Sequence, residues 1–503
     1  MPEPKLLHTI GELLSPWLED LCLPESLATV TISGMTLDSR QIKTGEMFVA
    51  VKGHSVDGRQ FIAKAQQAGA ALVLAQADTD QPYLEQSDSG AVIYLPRLGD
   101  LLSAIAKRFY GAPDEHVDVV AVTGTNGKTT ISQLLAQWVM LLGKPAGVMG
   151  TTGNGLLGQI QPATNTTGSA LEIPCVLQQM AGQGARFAAM EVSSHGLVQG
   201  RVKALEFKAS IFTNLSRDHL DYHGDMASYA EAKKTLFTEH QCGVAVINAD
   251  DPVGREWLVE LPQAVAVAME PAQLAGHKGQ LLWLESVDYS AQGVTVAFGS
   301  SWGAGQFTAP LVGAFNVTNL LLSLATLLAT GYPMAALLAA APQLQAVTGR
   351  MEVFQKPDKP MMVVDYAHTP DALEKALQAL RVHCHGKLWC IFGCGGDRDR
   401  GKRPLMAQAA ESLADRVILT DDNPRSEAPG AIMADMLAGL AQPQLAETIH
   451  DRRAACQWAL THAAAEDIVL VAGKGHEDYQ ILADRTIHYS DRETVAELLE
   501  VKA

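Results

Sequence analysis

The sequence predicts an α/β protein with three domains, and three observations lead to this prediction. Segments of apolar and β-branched residues alternate with helix-forming segments along most of the chain. A length of 503 residues suits roughly three folding units. Hydrophobic residues make up 47% of the chain, which is enough for several packed cores. We therefore expect domains at residues 1–97, 98–346 and 347–503.

The first domain is predicted to be a small α/β unit. A helical pattern at 61–68 lies between two of its strands, and a helix at 101–110 leads to Gly111-Ala112-Pro113, a sequence typical of a linker. Short apolar runs predict strands at 35–37, 47–51, 71–75 and 91–95.

The central domain is predicted to contain a doubly wound, mostly parallel sheet. An apolar run at 117–122 turns through glycine into a helix at 131–142. The most apolar run, 320–328, is too short to cross a membrane, and we expect it in an amphipathic helix. Further strands are expected at 187–192, 210–214 and 244–248, with antiparallel strands inserted within 280–307 and a helix at 317–330.

The last domain is predicted to be Rossmann-like, with a second mostly parallel sheet. Ligands of such sheets bind at the carboxyl ends of the strands, where the motifs described below fall. The expected strands lie at 361–365, 388–392, 417–420 and 468–472, and the expected helices at 371–382, 404–413 and 431–440.

Charge and cysteine content limit the function classes. The net charge is 38 − 55 = −17, which argues against a nucleic-acid partner. Residues 1–7 lack the apolar stretch of a signal peptide, and the cysteine count of seven is odd, so we expect a cytoplasmic protein with reduced thiols and no membrane insertion. The spacing of His383, Cys384, His385, Cys390 and Cys394 matches no common zinc pattern, so core or turn thiols are favoured.

One motif predicts a phosphate-binding loop of the kind found in P-loop ATPases. It lies between a strand and a helix, where backbone N–H groups and the helix N-terminus can bind phosphate oxygens. Lys128 would neutralise the β- and γ-phosphates of ATP, and the Thr129 hydroxyl would bind Mg²⁺. The common pattern has glycine where this chain has Val122, which weakens a GTPase interpretation. The motif reads Gly124-Thr125-Asn126-Gly127-Lys128-Thr129-Thr130.

Two further segments could complete a metal and nucleotide site. Glu191 ends a predicted strand, and a carboxylate there can hold Mg²⁺. Asn214 and His219 directly follow another apolar strand. Taken alone, a glutamate at a strand end is usually just solvated and a histidine usually structural. Their co-occurrence with the phosphate loop favours the functional interpretation.

The chain resembles the Mur ligases, which build the peptide stem of bacterial peptidoglycan, over nearly its whole length. The resemblance implies an ATP-dependent amide ligase that phosphorylates a carboxylate and joins it to an amine. The motifs that carry it are the phosphate loop, Glu191-Val192-Ser193-Ser194-His195, the segment 214–221, Gly313-Ala314-Phe315-Asn316-Val317-Thr318-Asn319, Gly349-Arg350-Met351-Glu352 and Asp365-Tyr366-Ala367-His368.

Within the family, the chain resembles the enzymes that extend UDP-N-acetylmuramoyl-L-alanyl-D-glutamate, and this implies roles for particular residues. Lys233 would be carbamylated and help His219 to hold a second Mg²⁺; alone, it would be an ordinary helix-surface lysine. Asn316, Arg350 and Asp365 would contact ATP. The UDP-linked substrate would be bound in the first domain by Leu37, Ser39, His54, Ser55 and Val56, and in the central domain by Asn165, Thr166, Thr167, Ser193, Gln199 and Arg201.

The last domain carries the signal for the amino acid that is added. Asp422-Asn423-Pro424-Arg425 follows a predicted strand, and relatives that add meso-diaminopimelate have arginine at the end of this motif, whereas those that add lysine do not. An arginine fork can bind the second carboxylate of diaminopimelate, which lysine lacks. Without its context, the motif would be a plain Asn-Pro turn. The resemblance also places Arg398, Gly473 and Glu477 around diaminopimelate.

Two alternatives to the diaminopimelate-adding ligase stay open. One is a related ligase, either the lysine-adding homologue or a folylpolyglutamate-type enzyme, although the latter lacks the UDP-binding first domain implied here by Leu37-Asp38-Ser39-Arg40. The other is a nucleotide-binding regulator without ligase activity, which should have lost one of Lys128, Glu191, His219 or Lys233. The family further implies a monomer.

Overall fold

The computed structural model describes residues 8–19, 21–53, 56–290 and 293–501, and it confirms the predicted α/β fold class. The chain forms two compact units. One contains the described residues up to Ala266 together with His277–Gly279, and the other contains Val267–Gly276 and the described residues from Gln280 onward. The three domain ranges given above stay a prediction.

The amino-terminal part of the first unit is built around a five-stranded sheet. Its core packs the helices α1 and α4 against β4, β5 and β7. The sheet has the order β3-β4-β5-β7-β6, in which β6 pairs antiparallel with β7 and the other neighbours pair parallel. The elements are β1 (His8–Thr9), α1 (Ile10–Leu14), α2 (Glu25–Ala28), β2 (Thr31–Ile32), β3 (Met35–Thr36), β4 (Met47–Ala50), α3 (Ile62–Gln67), β5 (Leu72–Ala77), β6 (Tyr83–Ser87), β7 (Gly90–Pro96) and α4 (Leu98–Phe109).

The rest of the first unit is a mostly parallel sheet with β8 at its centre. The order β10-β9-β11-β8-β12-β13-β14 places β11 and β12 on either side of β8, all parallel to it, and β10 pairs antiparallel with β9. The carboxyl ends of β8, β11 and β12 therefore meet at one edge. The elements are β8 (Asp118–Thr123), α5 (Lys128–Leu141), β9 (Ala146–Gly150), β10 (Gly153–Leu156), α6 (Glu172–Gly182), β11 (Phe187–Glu191), α7 (Ser194–Val198), β12 (Phe207–Phe212), α8 (Leu220–His223), α9 (Met226–Thr238), β13 (Cys242–Asn248), α10 (Pro252–Glu260) and β14 (Val265–Ala268).

The second unit holds an antiparallel group of strands, β15 to β17, and a six-stranded sheet of order β18-β19-β23-β20-β21-β22. Within that sheet, β18 pairs antiparallel with β19 and the other neighbours pair parallel. The elements are β15 (Leu281–Ser290), β16 (Gly293–Ser300), β17 (Gly305–Ala309), α11 (Ala314–Ala329), α12 (Met334–Ala340), β18 (Glu352–Phe354), β19 (Met361–Asp365), α13 (Pro370–Arg381), β20 (Leu388–Phe392), α14 (Lys402–Leu413), β21 (Arg416–Leu419), α15 (Pro429–Leu437), β22 (Glu447–Thr448), α16 (Arg452–His462), β23 (Ile468–Ala472), β24 (Tyr479–Ile481), β25 (Thr486–His488) and α17 (Asp491–Leu499).

The helix α11 corrects one prediction. The sequence suggested an amphipathic helix, but from Val317 to Leu328 every residue is buried except Thr318, which is half-buried. A helix that is apolar on all sides is covered on all sides, because leaving one face in water would forgo the free energy of burying it. None of the described helices is long and apolar enough to cross a membrane.

Two cysteines of the segment 383–394 are core or turn thiols, as the sequence predicted. Cys390 sits in β20 and Cys394 in the turn after it, and both side chains are buried. His383 is fixed by two backbone groups: its Nε2 accepts a hydrogen bond from the Gly313 N–H at 2.9 Å, and its Nδ1 lies 2.9 Å from the Ser290 carbonyl oxygen.

Candidate active site

The phosphate loop joins β8 to α5 through a turn that has no space for a side chain at its first position. Gly124 has a φ of 142°, and a Cβ there would lie 1.9 Å from the Thr213 hydroxyl oxygen and 3.0 Å from the Asn214 carbonyl oxygen. Gly127 has a φ of 89° and precedes the first residue of α5. Glycine is required at the first position because both its backbone conformation and its close neighbours exclude a Cβ.

Asn214, predicted from the sequence to contact ATP, is placed against this loop. Its side-chain Oδ1 accepts a hydrogen bond from the Asn126 N–H at 3.0 Å, and its Nδ2 donates to the Asn126 carbonyl at 3.2 Å. Thr213 donates to the same carbonyl at 2.6 Å. The segment after β12 therefore fixes the loop's backbone, so that its N–H groups are held in place before a phosphate arrives.

Two lysine side chains meet at the Gly124 carbonyl. Lys128 Nζ donates to it at 2.9 Å and Lys233 Nζ at 3.0 Å. Lys233 is buried, and its Nζ lies 4.6 Å from the centre of the Tyr229 ring. Burial, together with the nearby charge of Lys128, lowers the pKa of the Lys233 amine well below its ordinary value. A lowered pKa favours the neutral form of the amine, which is the nucleophilic form.

Glu191 ends β11 beside the phosphate loop, and the residue is 1% exposed. It accepts a hydrogen bond from the Thr129 hydroxyl at 3.0 Å and from the Thr151 N–H at 2.8 Å. Mg²⁺ is usually held by one or two protein oxygens together with substrate phosphates. The paired oxygens of Thr129 and Glu191 fit that role, and within the described residues no group of three His, Cys, Asp or Glu side chains forms a separate metal cluster.

His219 lies among aromatic rings at the start of α8. Its ring centre is 4.9 Å from that of His195 and 6.2 Å from that of Tyr229. Its backbone has a φ of 53°, a left-handed conformation that is uncommon for residues other than glycine. The side chain is about half exposed and close to the Tyr229–Lys233 contact.

Most of the residues predicted to bind the sugar and peptide form one hydrogen-bonded chain next to Glu191. Thr167 Oγ1 accepts a hydrogen bond from the Ser193 N–H at 2.9 Å and donates to the Glu191 carbonyl at 3.0 Å. Arg201 donates to the Thr167 carbonyl at 2.6 Å and to Gln199 Oε1 at 2.7 Å.

The other predicted substrate residues are more scattered. Thr166 reaches the same network through the hydroxyl of Thr151, at 3.2 Å, whereas Asn165 donates only locally, to Thr164. In the amino-terminal part, Ser39 is buried and Leu37 and Val56 are exposed. His54 and Ser55 lie outside the described residues.

Three residues predicted to contact ATP belong to the second unit. Asp365 ends β19, and its two carboxylate oxygens accept hydrogen bonds from the N–H groups of Met351 and Ala367, both at 2.8 Å. The Arg350 guanidinium lies 4.6 Å from the centre of the Tyr366 ring. Asn316, in the first turn of α11, donates to the Val312 carbonyl at 2.7 Å.

The residues predicted to bind diaminopimelate are brought together at the carboxyl ends of β20, β21 and β23. A Cβ on Gly395 would lie 2.9 Å from Arg425 Nη1 and 3.7 Å from Arg398 Cγ, so the two arginines flank the same glycine. Asn423 Nδ2 lies 3.4 Å from Glu477 Oε2. Asp422 and Pro424 adjoin Asn423 in the loop after β21, and Gly473 directly follows β23. Arg425 itself has a φ of 52°, a strained conformation of the kind found at binding sites.

Sequence reasoning missed several residues that support these sites. Thr151 binds Glu191, and Tyr229 packs on Lys233. Arg403 is fully buried; it donates to the Gly395 carbonyl at 3.1 Å and to Glu427 at 2.7 Å. Nothing in the local sequence marks these three residues. Thr151 lies 40 residues from Glu191, and Arg403 lies 24 residues from Glu427.

The fold and the first unit's site define a class of protein, a P-loop enzyme that binds a nucleoside triphosphate beside a buried carboxylate and a buried lysine. Three segments match regions described for one family: the Mur ligase family catalytic domain at residues 31–110, the Mur ligase middle domain at 122–327, and the Mur ligase glutamate ligase domain at 349–475. The chain belongs to the Mur ligase family and is an ATP-dependent ligase.

Similar proteins extend over almost the whole chain. The UDP-N-acetylmuramoyl-L-alanyl-D-glutamate–2,6-diaminopimelate ligase of Vibrio cholerae is 59% identical over 98% of this chain and 99% of its own length. The ligase of the same description from Vibrio vulnificus is 57% identical with the same coverage. A solved structure of a ligase with that description matches 98% of this chain and 99% of its own with 36% identity and a TM-score of 0.71. MurF from Acinetobacter baumannii, at 18% identity and a TM-score of 0.66, shows a shared fold alone.

We expect Gly124→Ala to abolish most ATP turnover, because the new methyl group displaces Thr213 and Asn214 and with them the phosphate loop. A displacement of this size is expected to slow phosphate release from ATP by about a hundredfold or more. Gly143→Ala is the matched control: Gly143 also has a positive φ, of 82°, but a Cβ there meets nothing within 4 Å. Equal effects of the two substitutions on phosphate release would contradict the close-approach argument.

Proposed function

We propose that this protein joins meso-diaminopimelate to the D-glutamate γ-carboxylate of UDP-N-acetylmuramoyl-L-alanyl-D-glutamate, in the synthesis of the peptidoglycan stem. The observation that carries the proposal is the cluster at the carboxyl ends of β20, β21 and β23. There Arg398 and Arg425 flank Gly395, while Asp422 and Glu477 lie 3.3 and 3.6 Å from the Lys474 Nζ. The similarity to the two Vibrio ligases supports it.

The charges of this cluster suit a second amino-acid head. Diaminopimelate differs from lysine by one carboxylate beside the distal amine. A guanidinium can bind that carboxylate through two charge-assisted hydrogen bonds, and the Asp422 and Glu477 carboxylates can bind the ammonium next to it. Lysine has no second carboxylate for the arginines to bind, which disfavours it as the acceptor. The lysine-adding reaction is therefore the second candidate.

The chemistry proposed for the first unit is carboxylate activation. A γ-carboxylate oxygen of D-glutamate attacks the γ-phosphorus of ATP, and ADP leaves, so that an acyl phosphate forms. The amine of diaminopimelate attacks the acyl carbon, loses a proton, and expels phosphate. Lys128 and the first turn of α5 stabilise the negative charge that shifts during transfer of the γ-phosphoryl group. The fixed loop backbone aligns the phosphates with the attacking carboxylate.

We propose Mg²⁺ as the metal ion of this reaction, held by the Thr129 hydroxyl and the Glu191 carboxylate, with His219 and a carbamylated Lys233 for a second ion. When bound, the ions would neutralise negative charge on the phosphates. Carbamylation is chemically accessible to Lys233 because a neutral amine nitrogen can attack CO₂, release a proton and leave a carbamate anion. The anion would replace a buried amine by an oxygen ligand.

ATP and a UDP-linked substrate are made inside the cell, so we place the reaction in the cytoplasm, with the protein acting as a monomer. The proposed UDP-substrate residues include the hydrogen-bonded chain of Thr167, Ser193, Gln199 and Arg201, which reaches the Glu191 carbonyl. This continuity would deliver the D-glutamate end of the substrate next to the phosphate loop.

The direct test is phosphate release from ATP by purified protein with Mg²⁺ and UDP-N-acetylmuramoyl-L-alanyl-D-glutamate, with meso-diaminopimelate, lysine or neither added. We expect strong release only with diaminopimelate, and a nucleotide product whose mass has increased by one diaminopimelate residue. Release with lysine alone would keep the ligase chemistry and overturn the proposed acceptor.

Arg425→Ala should raise the KM for diaminopimelate by roughly tenfold to a hundredfold, because it removes hydrogen bonds to a charged group. The KM values for ATP and for the UDP-linked substrate should change little. Arg400→Ala is the control, since Arg400 is an exposed arginine of the same region that pairs with Asp435. An unchanged diaminopimelate KM in Arg425→Ala would refute the proposed role of this residue.

Lys233→Ala should abolish ligation, whereas Lys234→Ala, next to it in α9 and paired with the exposed Glu260, should leave most activity. Wild-type protein supplied with ¹³C-labelled bicarbonate should give a carbamate signal in a ¹³C NMR spectrum. The signal should be missing in Lys233→Ala. A signal that survives the substitution would place the carbamate elsewhere, and no signal in the wild type would remove it from the mechanism.

A further inference from the structure

The Lys474 side chain, in the loop after β23, is completely buried. Its Nζ donates hydrogen bonds to the Tyr479 carbonyl at 2.7 Å and to Asn423 Oδ1 at 3.1 Å. It also lies 3.3 Å from Asp422 Oδ1 and 3.6 Å from Glu477 Oε2. Three of its four partners are side chains that we assign to the acceptor amino acid.

The backbone around Lys474 holds the side chain in this direction. Gly473 has a φ of 117° and Gly475 a φ of 53°. A Cβ on Gly475 would lie 2.7 Å both from the Gly349 carbonyl oxygen and from the Tyr366 Cβ, so the loop has little freedom to move. Burying an ammonium group is costly unless its partners compensate it, and a buried ion pair is weak evidence for stability. A role in ordering the surrounding side chains accounts better for its position.

The charged groups that contact the Lys474 ammonium are two carboxylates, Asp422 and Glu477. Asp422 Oδ1 is buried and faces the Lys474 ammonium at 3.3 Å. A ligand ammonium beside these two carboxylates would add a second positive charge next to them. Lys474 also opposes the effect of burial, which raises the pKa of Glu477, and so it favours the anionic form.

We propose that Lys474 is a positioning residue for the acceptor amino acid, which orients Asp422, Asn423 and Glu477 as one anionic site for the distal ammonium. It acts without touching the substrate, because its Nζ is buried and already surrounded by four oxygens. The inference deepens the proposed function and rests on it. Lys474 would therefore contribute to selectivity for an acceptor with a second ammonium and carboxylate, although it does not contact that acceptor.

The test compares Lys474→Met, which keeps the length of the side chain but removes its charge and donors, with wild type and with Val495→Ala. Val495 is a fully buried residue of a different part of the same domain's core, so its variant controls for lost stability. We expect Lys474→Met to raise the KM for diaminopimelate by roughly a hundredfold. The values of kcat at saturating diaminopimelate, of the ATP KM and of the UDP-substrate KM should change little, and thermal melting should show that both variants fold.

A double-substitution cycle shows whether Lys474 acts through Asp422. If it does, Lys474→Met should add little to the KM increase already caused by Asp422→Asn, whereas independent effects would multiply. Lys474→Arg keeps the charge and serves as the second variant if Lys474→Met does not fold; its altered donor geometry should still raise the diaminopimelate KM selectively.

The inference is overturned if all three KM values and kcat change together, if the Lys474 and Asp422 effects multiply, or if the acceptor KM is unchanged in a folded variant. The acceptor used is whichever amino acid wild type ligates. A wild type that ligates lysine instead would refute the proposed function, while the Lys474 cycle, run with lysine, would still decide the positioning role.

Discussion

The close approach of backbone at Gly124 is the constraint on which the ATP site depends. The turn after β8 has no room for a Cβ, because the segment after β12 packs directly on it. That contact lets Asn214 and Thr213 fix the loop, and it leaves the Gly124 carbonyl as the acceptor for both Lys128 and Lys233. Lys128 in α5 and Lys233 in α9 thus donate to the same carbonyl oxygen. Burial and the nearby charge of Lys128 then lower the pKa of the Lys233 amine.

The second unit orders its binding loops with buried cations. Arg403 holds the Gly395 carbonyl and Glu427, Arg452 holds Asp491 and the Ala472 carbonyl, and Lys474 holds Asp422 and Asn423. Each of the three is nearly or fully buried and bonds a group at or just after the carboxyl end of a parallel strand. A charged donor that is removed from water needs all its partners, so its loop has one favoured arrangement. Such loops can present arginines and carboxylates to a substrate with little reorganisation.

Much of the fold could be predicted because apolar runs that are bounded by turn residues are local signals. The predicted strands at 361–365, 388–392 and 468–472 agree with β19, β20 and β23. The strand β9 was missed, because glycines at positions 147 and 150 interrupt its apolar pattern and pairing with β10 and β11 makes it a strand. The amphipathic prediction for α11 was wrong because its outer face is covered by other elements, and the local pattern holds no record of that coverage.

By itself, the sequence determined the family, the α/β class and the phosphate loop, because these depend on short motifs with fixed spacing. The residues around the acceptor amino acid are a prediction from motifs of the same kind. Only the tertiary structure decided which other side chains contact the motif residues and hold them in place. Thr151 at Glu191, Tyr229 at Lys233 and Lys474 behind Asp422 are contacts between segments separated by many residues, apart from the Tyr229–Lys233 pair on one helix. The burial and orientation of these side chains depend on packing, which no single segment encodes.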